Sequence, residues 1–251
     1  MDVKPARAAG AGLLLAAAIQ IVPAGSWLPG PRRRWLPGLA GLGDPGHVAL
    51  TLDDGPDPAS TPLFLDALDR LGVRATFFLL GARARQFPSL TREISSRGHE
   101  TAVHGWAHSW PWLTPWRDRH ELARATEAVQ DATGTAPEWY RPPFGVLTAT
   151  RWHAARHAGL RPVLWSAWAR DWPPDATAES VTAIALGQLH GGATLLLHDS
   201  DHAATPDCWR ATLAALPTLV TACRASGWQV GPLSEHGLTT ADVAARAPIH
   251  A

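Results

Sequence analysis

Cysteine is almost absent from this chain. Cys208 and Cys223 are the only two among 251 residues, and they lie on a stretch patterned as a helix. If that helix is continuous, it separates them by roughly 22 Å, whereas bridged Cα atoms approach within about 7 Å. A disulfide is therefore excluded, and two buried, inert thiols are expected. Net charge is also missing, with 22 basic against 22 acidic residues. No basic block exists beyond Arg32, Arg33 and Arg34, which argues against a nucleic-acid partner. Tyrosine and phenylalanine are scarce, at one and five, while tryptophan numbers 13. Internal repeats and low-complexity segments are absent beyond the N-terminal region.

Long apolar runs are missing too, with one exception. Residues 8–24 follow Lys4 and Arg7 and are broken only by Gln20, with Val22-Pro23-Ala24 as a small-residue cleavage site. That layout is a signal peptide or a short membrane anchor over residues 1–25. Residues 26–45, rich in proline and glycine around the arginine triplet, read as a linker. Residues 46–240 form the expected folded domain, and residues 241–251 a tail.

Within that domain apolar strands alternate with helical patterns. Strands are expected at "VALTL", "RATFFLL", "ETAVH", "EWYR", "RPVLWS" (161–166), "ATLLLH" and "WQVGPL". Helices are expected between them, the first capped by Ser60 with Leu63, Phe64, Ala67, Leu68 and Leu71 as its apolar stripe and Gly72 as its stop. About seven strands in β/α alternation imply an α/β fold: one distorted barrel of parallel strands with the helices outside. The hydrophobic content of 46% supports a sizeable core.

Polar residues collect at the strand ends. Asp53 and Asp54 end the first strand, His104 the third and Arg141 the fourth; Asp171 and Trp172 follow the fifth, and His198 ends the sixth. In a parallel barrel these ends open on one face, where active sites are built. The spacing in "HGWAH" (104–108) places His104 and His108 on one side of a helical turn. Two imidazoles and a carboxylate suit a divalent transition metal. One of Asp53 and Asp54 can join them, leaving the other to act as a base. Neighbouring strand residues point to opposite faces, so the backbone must leave strand geometry here, and Gly55-Pro56 permits it. Taken singly these signals are weak, since an i,i+4 histidine pair arises readily among 12 histidines. Their shared position at strand ends carries the reading.

Five motifs in order, "TLDDGPDP", "HGWAH", "RPPFG", "RDW" and "LLLH", resemble those of the polysaccharide deacetylases, the NodB-homology group also called carbohydrate esterase family four. The resemblance runs over residues 46–233. It implies metal-dependent removal of N-acetyl groups from an amino-sugar polymer. It also implies a role for each matching residue: Asp53 as base, Asp54 with His104 and His108 as ligands of one divalent metal ion (zinc first, then cobalt, nickel or manganese), and His198 as acid. Arg141 would orient the base and Asp171 tune the acid. Phe144 would offer its backbone N–H to the oxyanion, and Leu196 with Trp172 would pocket the acetyl methyl. Three positions depart from the family pattern: Gly105 where relatives carry Ser or Thr, Leu52 for Phe, and Trp168 where many carry Asp. The implied partner is an acetylated glycan, and the implied location is outside the cell or in its envelope.

Overall fold

The computed structural model describes residues 28–110 and 117–238. The expected leader, the first residues of the linker and the 241–251 tail lie outside the described residues, as does the 111–116 part of the loop after His108.

Among the described residues eight parallel strands form the sheet: β1 (His47–Asp53), β2 (Thr76–Leu79), β3 (Glu100–Val103), β4 (Trp139–Tyr140), β5 (Arg161–Pro162), β6 (Ala167–Trp168), β7 (Thr194–His198) and β8 (Gln229–Gly231). Their order is β5-β4-β3-β2-β1-β7-β6, with β8 paired to the start of β1. The helices are α1 (Pro29–Trp35), α2 (Thr61–Leu71), α3 (Gly81–Gln86), α4 (Pro88–Ser96), α5 (Asp118–Thr133), α6 (Ala149–His157), α7 (Ala178–Leu186) and α8 (Trp209–Ala225). Every residue of β1 and β2 is buried, as a parallel sheet covered on both faces requires.

Connectivity forces the sheet to curl. β5 and β6 sit at opposite ends of the strand order, which in a flat sheet would be about 29 Å apart at 4.8 Å per strand. The residues between them, 163–166, can reach no more than about 18 Å. The sheet therefore bends into a partly closed barrel. The strand expected at 161–166 is split by this bend: Val163 N–H donates to Tyr140 O on one side, and Ser166 N–H to Thr194 O on the other.

Three local expectations need correction. Residues 26–45 do not read out as a plain linker, because 29–35 are α1 and Leu39 and Ala40 are buried; proline in a first helical turn is compatible with a helix, since its missing N–H is unpaired there anyway. In α2 Leu63 is exposed and Leu65 buried in its place. Ser60 makes no side-chain cap; instead Thr61 Oγ1 accepts from Asp57 N–H at 2.8 Å. Gly72 does end α2, in the left-handed region at φ 61°. Both cysteines are free and buried.

Candidate active site

β1 delivers the two adjacent carboxylates. Thr51 and Asp53 share a face by the two-residue period of a strand, and Arg141 meets both: Nη1 donates to Thr51 Oγ1 at 2.8 Å and to Asp53 Oδ1 at 2.7 Å. Asp54 would point away if the strand continued. It does not, because Asp54 itself adopts φ 78°. The break thus falls on Asp54, one residue before the Gly55-Pro56 pair to which the sequence pattern assigns it. Across the β1–β7 ladder Asp53 is the register partner of His198, so two groups remote in sequence are neighbours by strand pairing.

The 104–108 segment is not a helical turn. Gly105 at φ 84° and His108 at φ 52° turn the chain twice, and the peptides are held by Gly81 N–H to Gly105 O and Ala82 N–H to Trp106 O, both 2.9 Å. The four-residue spacing works through this loop instead. A residue with a β-carbon is strained at such a φ, which gives glycine at 105 a local reason. His104 Nδ1–H donates to Arg141 O at 2.8 Å, which leaves Nε2 with its lone pair directed toward Asp54. His104 Nε2 lies 3.4 Å and His108 Nε2 3.6 Å from Asp54 Oδ1.

These three residues fit a cation. Asp54 Oδ1 is buried and has no hydrogen-bond partner. Burial pushes Asp54 up to about 7, with the charges of Asp53, Asp199 and Asp171 adding and His198 opposing. Burial holds His104 well below the usual imidazole range and, with His104 beside it, brings His108 to about 3. Two neutral imidazoles and an acid that needs a positive neighbour are the donor set a divalent transition metal takes. Among the described residues this is the one group of His, Cys, Asp and Glu spaced to hold an ion, its donor atoms within 4.8 Å of one another.

Two charged pairs flank it. Asp53 is raised by burial and lowered by Arg141; Arg141 is fully buried, its Nη2 donating to Leu164 O at 3.0 Å and its guanidinium 4.0 Å from the Phe78 ring centroid. On the other side His198 Nδ1–H donates to Asp171 Oδ1. All of these groups face or underlie one cleft of about 330 Å³. Phe144, Trp172 and Leu196 line it as well. A surface depression bordered by Arg119, His153 and His157 includes none of the strand-end groups.

Sequence reasoning missed three neighbours. Trp110 stacks on Phe144 with centroids 4.1 Å apart and 9° between planes. Trp165 joins Trp168 and Trp172 in a run of ring contacts along the cleft. Asp199, directly after His198, is buried, accepts from Thr61 Oγ1 and abuts Gly55; burial raises it to about 7. The tryptophan excess and the first acid of "HDSD" are the available signals. Trp168, one of the three departures from the family pattern, supplies an aromatic surface to the cleft.

Fold and site together define a parallel α/β half-barrel with carboxylates, imidazoles and a buried guanidinium gathered at its strand ends. The sequence profile described as polysaccharide deacetylase matches residues 41–163, beginning after α1. A chitooligosaccharide deacetylase of Bradyrhizobium is 34% identical over 198 residues, covering 75% of this chain and 89% of the relative. The peptidoglycan-N-acetylglucosamine deacetylase of Bacillus cereus is 33% identical over 180 residues, covering 70% of this chain; the match spans 64% of that relative's length. Among solved structures, a peptidoglycan N-acetylglucosamine deacetylase in complex with 4-naphthalen-1-yl-N-oxidanyl-benzamide superposes with TM-score 0.73 at 28% identity, over 82% of this chain and 96% of that one. The chain belongs to the polysaccharide deacetylase family.

Proposed function

We propose that this protein is a metal-dependent hydrolase that removes N-acetyl groups from an amino-sugar polymer. The observation that carries the reading is the convergence of Asp54, His104 and His108 between a buried base, Asp53, and a half-buried acid, His198. A divalent ion held by those three, zinc first and cobalt, nickel or manganese by the same donor chemistry, supplies Lewis acidity to the acetamide carbonyl and lowers the pKa of water.

The chain's own residues do the rest. Asp53 takes the proton of the attacking water, and its Oδ1 is fixed by Arg141, so the carboxylate cannot turn away. The backbone N–H of Phe144 donates to the carbonyl oxygen as negative charge develops there; one such donor contributes about 100- to 1,000-fold in rate. Leu196 and Trp172 wall the acetyl methyl. His198 gives its Nε2 proton to the departing nitrogen, general-acid chemistry worth about 100- to 10,000-fold. The C–N bond breaks, acetate leaves, and the free amine stays on the sugar.

The relatives' names point to peptidoglycan and chitin-like oligomers as substrate classes, and both offer this acetamide. Substrates of that kind agree with an exported or envelope-bound protein whose residues 1–25 serve as leader or anchor. The test is metal content together with acetate release from N-acetylglucosamine oligomers and from peptidoglycan, comparing wild type with Asp53→Asn. Metal in both proteins and acetate from the wild type alone is the expected result. Metal without acetate from any glycan would transfer the site to another C–N bond. No metal in either would leave a carbohydrate-binding barrel.

A further inference from the structure

The segment 163–166 bridges the seam between β5 and β6, and the N-terminal arm grips it residue by residue. Leu164 N–H donates to Leu39 O at 2.8 Å. Arg32 Nη2 donates to Trp165 O at 2.6 Å, and Arg33 Nη2 donates to Ser166 O. The arm is itself anchored: Thr194 Oγ1 donates to Gly41 O at 2.8 Å, and Gly43 N–H to Gly192 O at 3.0 Å. At Gly41 a β-carbon would sit 2.5 Å from Thr194 Oγ1, so the approach depends on glycine.

The gripped residues touch the site. Leu164 O accepts from Arg141 Nη2 at 3.0 Å, and Arg141 in turn holds Asp53. Trp165 lines the cleft. The guanidinium groups of Arg32 and Arg141 lie 5.8 and 5.9 Å from its ring centroid. Arg32 is 5% exposed. Burial lowers it to about 10, with Arg33 and Arg141 adding, so it remains a cation at neutral pH. A buried guanidinium on a seven-residue helix ahead of the sheet is costly to desolvate, and here one of its contacts is a carbonyl beside the cleft.

We propose that Arg32 is a positioning residue: by holding the Trp165 carbonyl, between the contacts that Leu39 makes to Leu164 and Arg33 makes to Ser166, it sets Trp165 in the cleft wall and the neighbouring Leu164 carbonyl that anchors Arg141, making the N-terminal helix a working part of the catalytic unit. The kinetic half of this rests on the deacetylase reading above. The structural half does not, and the two are measured separately.

The experiment compares wild type, Arg32→Ala, Arg32→Lys and, as control, exposed Arg34→Ala. Amide hydrogen exchange is followed at Leu164 and Ser166, and kcat and KM for acetate release are measured well below the melting temperature. In Arg32→Ala exchange at those amides accelerates, and kcat falls by about 10- to 100-fold, the scale of a small misplacement propagated from a distance. Metal affinity stays at the wild-type value. Lysine, which keeps a cationic donor for the Trp165 carbonyl, restores most of kcat, and Arg34→Ala matches wild type throughout. Unchanged exchange at Leu164 and Ser166 would overturn the proposal, as would faster exchange with wild-type kcat. If Arg32→Ala does not fold, Arg32→Met, which keeps a stem in the buried site and removes the donor to the Trp165 carbonyl, gives the same readouts from the same peptides. If the wild type releases no acetate, the deacetylase reading falls and the exchange data still decide whether the arm holds the seam.

Discussion

His198 Nδ1 and Asp171 Oδ1 lie 2.8 Å apart, and the His198 backbone N–H donates to the other oxygen of the same carboxylate at 2.8 Å. Thr212 Oγ1 donates to that second oxygen at 2.7 Å. Burial alone would lower His198; Asp171, followed by the Asp54 and Asp53 charges, instead carries it up to about 10. The imidazolium is thus the resting form at neutral pH, and kcat/KM should fall on the alkaline side as that proton is lost. A cation at Asp54 offsets part of the carboxylate contribution, so the metal-loaded limb lies on the acid side of 10. In Asp171→Asn burial loses its counterweight and the limb moves acidward, toward or below the ordinary 6.5. A pH–rate profile that does not move in this variant would assign the acid to another group. In stability the sign follows from the raised value: the His198 contribution is complete below its unfolded pKa and is lost as pH rises through the folded one. Asp171, held below its usual range by His198 against its own burial, contributes above its unfolded pKa and loses that contribution as pH falls.

Asp54→Asn should abolish metal retention. The apo wild type is expected to gain thermal stability on adding the ion, by about 2.7 kcal/mol at 100 times the dissociation constant, while Asp54→Asn gains nothing. Equal stabilisation of both by zinc, read from melting curves, would place the ion elsewhere.

Arg141→Ala should be severely destabilising. The guanidinium is fully buried, and its removal leaves Asp53 buried without its charge partner, a change that costs about 3–5 kcal/mol. Arg141→Lys keeps the charge but cannot satisfy Thr51, Asp53 and Leu164 with one fork, so it should fold better than the alanine variant and still lose most activity. Denaturant midpoints separate the two effects; an Ala variant as stable as wild type would show that Asp53 does not need this cation.

Gly55→Ala places a β-carbon 2.5 Å from Asp199 Oδ2 and 2.7 Å from Oδ1. Both belong to a short, buried side chain with little room to retreat, so overpacking of about 1–3 kcal/mol is expected. The turn carries Asp54, so metal affinity should fall with stability. Wild-type melting and affinity in this variant would mean the turn is softer than its packing implies.

Trp110→Ala removes one plate of the Trp110–Phe144 stack. Aromatic pairs contribute about 0.5–1.5 kcal/mol beyond area, which as lost ring contact to a sugar raises KM about 2- to 10-fold. The value of kcat should hold, since Trp110 is half exposed and hydrogen-bonds none of the reacting groups described. A fall in kcat at constant KM would relocate Trp110 from substrate binding to support of the His108 loop.

Much of this was readable from residue order. The β/α alternation, the assignment of Asp53, His104, Arg141 and His198 to strand ends, and the impossibility of a Cys208–Cys223 bridge all follow from local pattern, because strand and helix periods act over a few residues. Other features were out of reach for an equally definite reason. Nothing in "HGWAH" distinguishes a helical turn from a loop with two left-handed residues; the choice is made by Gly81 and Ala82, whose amides capture the loop's carbonyls. The arginine triplet looked like part of a linker because its acceptors, the carbonyls of Trp165 and Ser166, lie more than 130 residues further on. Trp165 looked like any strand residue until the bend at 163–166 turned it to the cleft.

The sequence by itself determined which ionisable side chains are available, and that repeated strand–helix units would collect Asp53, Asp54, His104, Arg141 and His198 on one rim. Tertiary structure alone decided their state. Burial and pairing draw Asp54 and His198 to unusual protonation, the left-handed backbone at Asp54 swings a second carboxylate inward, and an N-terminal helix closes the seam beneath Arg141, since each depends on distances between residues that the chain order does not bring together.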